Sequence, residues 1–265
     1  MKLYLENKTA LVTGSTAGIG YAIAHLLAYE GAAVIVNGRT QERVDSAVAK
    51  IREVAPDAER VFGFAADVAT AEGIDKLTAQ FPEIDILINN MGIFEPKPFE
   101  EISDADWFRF FEANVMSGVR LSRHYLPRMK HQNWGRVIFI SSESAVQVPA
   151  EMIHYGFTKT AQLAISRGLA ETTAGTKVTV NSVLPGPTES EGVSGFVESL
   201  AKAHNTDSAG IEKMFFETMR PTSLLKRFIT PEEVANLVAF VCSPEAGAIN
   251  GAALRVDGGV VRSIT

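Results

Sequence analysis

Short apolar runs alternate with longer helical patterns along all 265 residues. The runs are Thr9–Thr13, Ala33–Asn37, Arg60–Ala66, Asp85–Asn89, Arg136–Ser142, Lys177–Val183 and Ala252–Val256. Between and after them lie helical patterns at Tyr21–Tyr29, Gln41–Val54, Ala71–Phe81, Asp104–Lys130, Tyr155–Thr172 and Pro231–Val241. Regular alternation of this kind implies βαβ units, hence an α/β fold with a parallel sheet and helices on both of its faces. Ligands of such sheets bind at the carboxyl ends of the strands.

The first run leads into Gly14-Ser15-Thr16-Ala17-Gly18-Ile19-Gly20, then into a helix with Ile23, Leu26 and Leu27 on one face. A glycine-rich turn from strand to helix is the context in which such a turn cradles phosphate. The helix start offers free N–H groups and a positive dipole end, and glycine lets backbone and phosphate approach closely. The spacing is Gly-x-x-x-Gly-x-Gly rather than the commoner Gly-x-Gly-x-x-Gly, and a tight turn without a ligand is the alternative. Gly14, Ser15, Ala17, Gly18, Ile19 and Gly20 are therefore candidate dinucleotide contacts.

Gly38-Arg39-Thr40 stands at the second strand tip, where an acid would grip the 2′-hydroxyl of NAD. No acid is there, and Arg39 could pair with a 2′-phosphate instead, which puts NADP ahead of NAD. A solvated arginine beside Arg43 is the other reading. Asp67, Val68, Asn90 and Gly92 fall at later strand ends; Asp67 could accept from an adenine amino group or cap the next helix.

Tyr155 and Lys159 are four apart, one turn of a helix. A cation beside a phenol favours phenolate and lowers its pKa, which makes the pair a sensible acid/base device. Alone, such a pair is common on helix surfaces. Asn114, amid the apolar residues of Phe111–Val115, is unfavourable inside a helix unless something holds its amide. That helical stretch is expected to break only at Pro127.

The net charge of -6 gives neither nucleic acid nor an anionic membrane a reason to bind. One cysteine, Cys242, permits no intrachain disulfide and reads as a buried structural thiol. No stretch approaches the roughly eighteen apolar residues of a membrane span, and the first residues have no signal-peptide core. These features are read as a cytoplasmic protein. His124 and His131, seven apart, read as surface residues rather than a metal site.

Taken in order, the glycine turn, Asn89-Asn90-Met91-Gly92, Asn114, Ser142, Tyr155-x-x-x-Lys159 and Pro185-Gly186 resemble the short-chain dehydrogenase/reductase family, from Thr9 to Gly259. The resemblance implies a single Rossmann-type, doubly wound, seven-stranded domain. It implies hydride transfer between a nicotinamide cofactor, NADP or NAD, and a small-molecule ketone or secondary alcohol. Tyr155 matches the acid/base, Lys159 the residue that lowers its pKa and binds the nicotinamide ribose, Ser142 the hydroxyl that places the substrate oxygen, and Asn114 the proton relay. Thr188 and the backbone at Pro185-Gly186 match the nicotinamide amide contact, assisted by Ser190. A homo-oligomer, tetramer or dimer, is also implied. Met91 and Thr158 stand where the family usually has alanine and serine. Glu143, Glu151 and His154 are less standard; they could face substrate, but facing solvent is the preferred reading.

The segment Glu189–Phe228 lacks strand character, carries helical pieces near Val193–Ala203 and Ile211–Met219, and follows a strand tip, so it is expected to be a substrate lid. Two alternatives stay open. One is a reductase of 3-oxoacyl thioesters on an acidic carrier protein, which the basic group Arg120, Arg123, Arg128 and Lys130 could dock. The other is a catalytically silent dinucleotide-binding regulator, which would not need an intact proton relay.

Overall fold

The structure, a computed structural model, describes residues 2–189 and 207–264. Its strands are β1 (Thr9–Val12), β2 (Ala33–Gly38), β3 (Val61–Ala65), β4 (Ile86–Asn89), β5 (Gly135–Ile140), β6 (Val178–Pro185) and β7 (Ala253–Val256). Its helices are α1 (Gly18–Tyr29), α2 (Gln41–Arg52), α3 (Ala71–Gln80), α4 (Asp104–Phe111), α5 (Ser117–His131), α6 (Ile153–Glu171), α7 (Ser208–Thr218) and α8 (Pro231–Cys242). The seven strands form one parallel sheet in the order β3-β2-β1-β4-β5-β6-β7. The direction of winding reverses between β1 and β4, and that switch point opens a crevice at the strand tips.

Period-two alternation sorts each strand between two cores. Ala10, Val12, Val34, Val36, Ile86 and Ile88 pack with α1, α2 and α8 on one face. Leu11, Ile35, Leu87, Val137 and Phe139 point the other way, against α3, α5 and α6. Each fully buried Leu, Ile or Val contributes about 1.5–3 kcal/mol, so both helical layers are firmly held. Cys242 is buried in the first core, where burial pushes its thiol up to about 12.

Three departures from the sequence reading bear on the site. First, α1 begins at Gly18 rather than Tyr21, so Gly18, Ile19 and Gly20 form its first turn. Second, the stretch from Asp104 is not broken at Pro127, which lies inside α5. Pro127 and Arg123, whose carbonyl it leaves without an intrahelical donor, are both exposed, so water can serve that carbonyl. The break is instead a π-helical turn, Glu112–Met116, centred on Asn114. Single π-turns often mark functional sites, because they free a carbonyl from the helix ladder. Third, of the expected lid, 190–206, including the Val193–Ala203 piece, lies outside the described residues. The other piece is α7, from which Ile211 and Phe216 pack with Phe228 in a small cluster of their own.

Candidate active site

The crevice has two parts. A cavity of about 420 Å³ is lined by Gly14, Thr16, Asn37, Gly38, Arg39, Thr40, Arg43, Ala66, Asp67, Val68, Met91, Gly92 and Ile93. Its walls are set by backbone. Ala17 makes no side-chain cap, and the first turn of α1 carries no acid, so its N–H groups are open to an anion. Gly14 has φ +61, and a Cβ on Gly20 would collide with Asn90 Nδ2 and lie 2.5 Å from the Gly14 carbonyl oxygen. Asn90 Nδ2 donates to the carbonyls of Thr13 (2.9 Å) and Gly14 (3.1 Å), which ties the turn to the tip of β4. Ser15 Oγ donates to Val12 O at 2.7 Å. The side chains of Ser15 and Asn90 therefore shape the cradle rather than reach into it. Arg39 is exposed at the cavity lip. Asp67 does not cap α3: its carboxylate accepts from Ala69 N–H (2.9 Å), and Thr70 Oγ1 caps by accepting from Gly73 N–H.

The second part, about 230 Å³, lies beside the acid/base candidate. Ile19, Phe94, Met152, Pro187, Phe215, Met219 and Phe228 give it apolar walls, and Ser142, Glu143, Tyr155, Thr188 and Arg220 supply polar groups, with Pro185 and Gly186 at one side. Phe94 stacks edge-on against Tyr155 at 6.5 Å between ring centroids. The four residues expected to carry the chemistry come together here. Lys159 is buried; its Nζ donates to Ile140 O (2.8 Å) and Gln162 Oε1 (3.4 Å) and stands 5.7 Å from the centre of the Tyr155 ring. Gln162 Nε2 in turn donates to the Asn114 carbonyl, within the π-turn, at 2.5 Å. Asn114 Oδ1 accepts from Ile93 N–H (2.7 Å), and its Nδ2 donates to Ile93 O and to Thr158 Oγ1, both at 3.0 Å. Thr158 Oγ1 donates to the Tyr155 carbonyl at 2.7 Å, so threonine suffices where serine is usual. The polar residue inside the helix is thus fully satisfied, and it locks the loop after β4 to α6.

The electrostatics differ from the expected lowering of the phenol by Lys159. Burial, and then the charge of Glu143, raise the Tyr155 phenol above its usual value, while a Ser142 hydrogen bond and the Arg220 charge oppose the rise. Burial lowers the Lys159 ammonium to about 8.

The preferred solvent reading of three residues is overturned. Glu143 is buried: its Oε2 accepts from Ser142 Oγ (2.5 Å) and its Oε1 from Arg220 Nε (3.0 Å). Glu151 is half-buried and accepts from Arg220 Nη1 at 3.0 Å. A carboxylate at a strand tip can be buried only if a cation follows it in. His154 is fully buried against Phe110 (4.0 Å between centroids) and Trp107, and burial lowers its pKa. Neither of its ring nitrogens has a partner among the described residues, so it fills space as a neutral ring.

Sequence reasoning also missed Gln162 and Arg220. Gln162 had a signal, a polar residue three beyond Lys159 on the same helix face. Arg220 had none, since Glu143 lies 77 positions away. Thr188 lines the pocket, with its Oγ1 donating to Gly186 O at 2.8 Å. Ser190 lies outside the described residues. Of the basic group, Arg120 pairs with Glu112 (2.8 Å) and Arg128 donates to the His124 carbonyl of its own helix.

Comparison with known proteins agrees with this architecture. The family model described as enoyl-(acyl carrier protein) reductase matches residues 14–261. The Bacillus subtilis oxidoreductase YvaG is 53% identical, with all of both chains covered. The 3-oxoacyl-[acyl-carrier-protein] reductase FabG of Aquifex aeolicus is 33% identical, over 98% of this chain and 100% of that one. The crystal structure of L-sorbose reductase from Gluconobacter frateurii, complexed with NADPH and L-sorbose, superposes with a TM-score of 0.93 at 33% identity, over 100% of both chains. With the sheet order, the glycine cradle and the Asn114–Ser142–Tyr155–Lys159 constellation in hand, the chain is a member of the short-chain dehydrogenase/reductase family of oxidoreductases.

Proposed function

We propose that the chain transfers a hydride between NADP(H) and a small ketone or secondary alcohol, with Tyr155 as acid/base. The observation that supports this most is the linkage of Asn114, Gln162, Lys159 and Tyr155 beside a pocket that also holds Ser142. A bound nicotinamide dinucleotide would supply or take up the hydride. Its phosphates would lie on the backbone of Gly14, Ser15, Ala17, Gly18, Ile19 and Gly20, and its adenosine end by Gly38, Arg39, Thr40, Asp67 and Val68. Gly92, Pro185, Gly186 and Thr188 would flank the nicotinamide, with Asn90 holding the cradle in shape. The cavity lip fits a 2′-phosphate, because Arg39 and Arg43 line it where NAD would call for an acid.

In reduction Tyr155 gives its proton to the carbonyl oxygen. A raised phenol is protonated at neutral pH, which suits that step. Lys159 has one N–H left after Ile140 and Gln162, and we assign it to the nicotinamide ribose. As the phenol loses its proton, the Lys159 cation favours the phenolate. Asn114 and Gln162 hold Lys159 in register. The working form is proposed to be a cytoplasmic homo-oligomer of one domain, with 207–228 walling the substrate pocket.

Tyr155→Phe tests the reading, since it keeps the ring and removes the proton carrier. Turnover should fall by about a hundredfold to ten-thousandfold with NADPH affinity nearly unchanged. Near wild-type turnover in the pure variant would refute it. A second reading, reduction of a 3-oxoacyl thioester on a carrier protein, draws support from the FabG likeness. It requires activity on carrier-bound substrate that falls steeply with salt.

A further inference from the structure

We propose that Glu143, clamped by Arg220, is a positioning residue that accepts the hydrogen bond of the Ser142 hydroxyl, making Ser142 a hydrogen-bond acceptor toward the reaction centre and leaving Tyr155 as the donor to the substrate oxygen. The inference rests on the reading of Tyr155 and Ser142 above. A serine hydroxyl has one proton. Here it goes to Glu143 Oε2 at 2.5 Å, the separation of a charge-assisted bond to a carboxylate. Ser144 N–H donates to Ser142 Oγ at 3.1 Å. What remains of that oxygen toward the pocket is a lone pair. Toward the neutral phenol this oxygen accepts and helps to orient the Tyr155 proton; only toward the phenolate does the hydroxyl swing from Glu143 to donate, the sense in which Ser142 opposes the rise of the phenol.

Glu143 cannot turn away from this task. Its other oxygen accepts from Arg220 Nε at 3.0 Å, and Arg220 is held by Glu151 and by the Met219 carbonyl. The side chains of Glu143 and Arg220 are only 6% and 8% exposed, so neither charge would persist there without the other. Arg220 follows α7, on the segment that walls the substrate pocket. That segment therefore fixes the charge state at the catalytic serine as well as the pocket's shape. A corollary concerns substrate class. Arg220 is already matched by two carboxylates and an incoming anion would meet Glu143, so the pocket selects uncharged carbonyl compounds over keto acids.

The charged groups around the phenol are Glu143 from the turn after β5, Arg220 from the turn after α7 with Glu151 behind it, and Lys159 one turn along α6. Glu143→Gln keeps the shape and an acceptor but removes the charge. In the reduction direction, the high-pH limb of the rate profile, where the phenol loses its proton, should move down by about one unit. The kcat should fall more than KM changes. In a double-mutant cycle, adding Glu143→Gln to Ser142→Ala should cost little further kcat, because the carboxylate acts through the hydroxyl. Wild-type enzyme should also turn over a neutral hydroxyketone faster than a keto acid of equal size. An unmoved limb, kcat losses that multiply, or a preference for the keto acid would overturn the proposal. If Glu143→Gln does not fold, Glu143→Asp keeps the charge near Arg220 but withdraws from Ser142. The limb should then stay and kcat should fall, and a wild-type kcat would be equally fatal. Tyr155→Phe in the same series separates the two levels: if it stays active, the assignment of Tyr155 fails rather than that of Glu143.

Discussion

The cavity beside the glycine turn and the pocket beside Tyr155 meet at Ile93 and Phe94, yet they are built from different kinds of atoms. The cavity is drawn entirely from residues 14–93 and is shaped by backbone, with Ser15, Asn37 and Asn90 spending their side chains on neighbouring backbone groups. The pocket is shaped by side chains brought from five separate stretches, and it buries a carboxylate and a guanidinium. A backbone-built site is fixed by where glycine is required and tolerates no Cβ. A side-chain-built site depends on partners distant in sequence and can be retuned by exchanging them.

The sharpest test of the first half is Gly20→Ala. The new methyl has no room between the Gly14 carbonyl and Asn90, so the turn must shift. Stability should drop by about 1–3 kcal/mol, read by denaturant titration, and NADPH affinity should drop with it. An unchanged midpoint and affinity would mean that the turn is looser than described. Arg39→Ala should be milder. It leaves the cradle intact and removes one charged contact, so NADPH binding should weaken by about tenfold with NADH nearly unchanged. Equal losses for both cofactors would make Arg39 a surface charge.

On the pocket side, hydrogen exchange probes 207–228. Amides of α7, which packs through a three-residue buried cluster, should exchange faster than those of α6 in the free protein and slow when NADP and a substrate analogue bind. Slow exchange that ligands do not alter would leave a fixed wall in place of a lid. The smallest effect is a slope. The Lys159 ammonium falls from the ordinary 10.5 to about 8 through burial. Between those values the unfolded chain keeps a proton that the folded chain has lost, so stability should rise with pH across that window. Lys159→Met should lack this increment when urea midpoints near the two ends of the window are compared. Equal slopes would show that the ammonium is not buried in solution.

The same contrast explains what the sequence disclosed. The alternation of apolar runs with helices was enough for the sheet, and the glycine spacing was enough for the tight turn between β1 and α1. Asn114 announced itself as a polar residue in an apolar helix. The π-turn around it did not, because one extra residue in a turn leaves the helical pattern nearly unchanged. Pro127 was misleading because it sits on an exposed face where a lost hydrogen bond is replaced by water. Glu143 looked like a solvated residue after a strand, because its burial depends on Arg220 far along the chain. His154, a polar residue by type, proved to be packing.

The two halves are proposed to form one NADP(H)-dependent carbonyl oxidoreductase. The most direct measurement follows cofactor absorbance while a panel of uncharged ketones and the corresponding alcohols is offered with NADPH or NADP and with NADH or NAD. Turnover should require a ketone or secondary alcohol and should be faster with the phosphorylated cofactor. Tight binding of NADPH without turnover of any member of the panel would contradict it and favour a dinucleotide-binding regulator, and faster turnover with NADH would contradict the role given to Arg39.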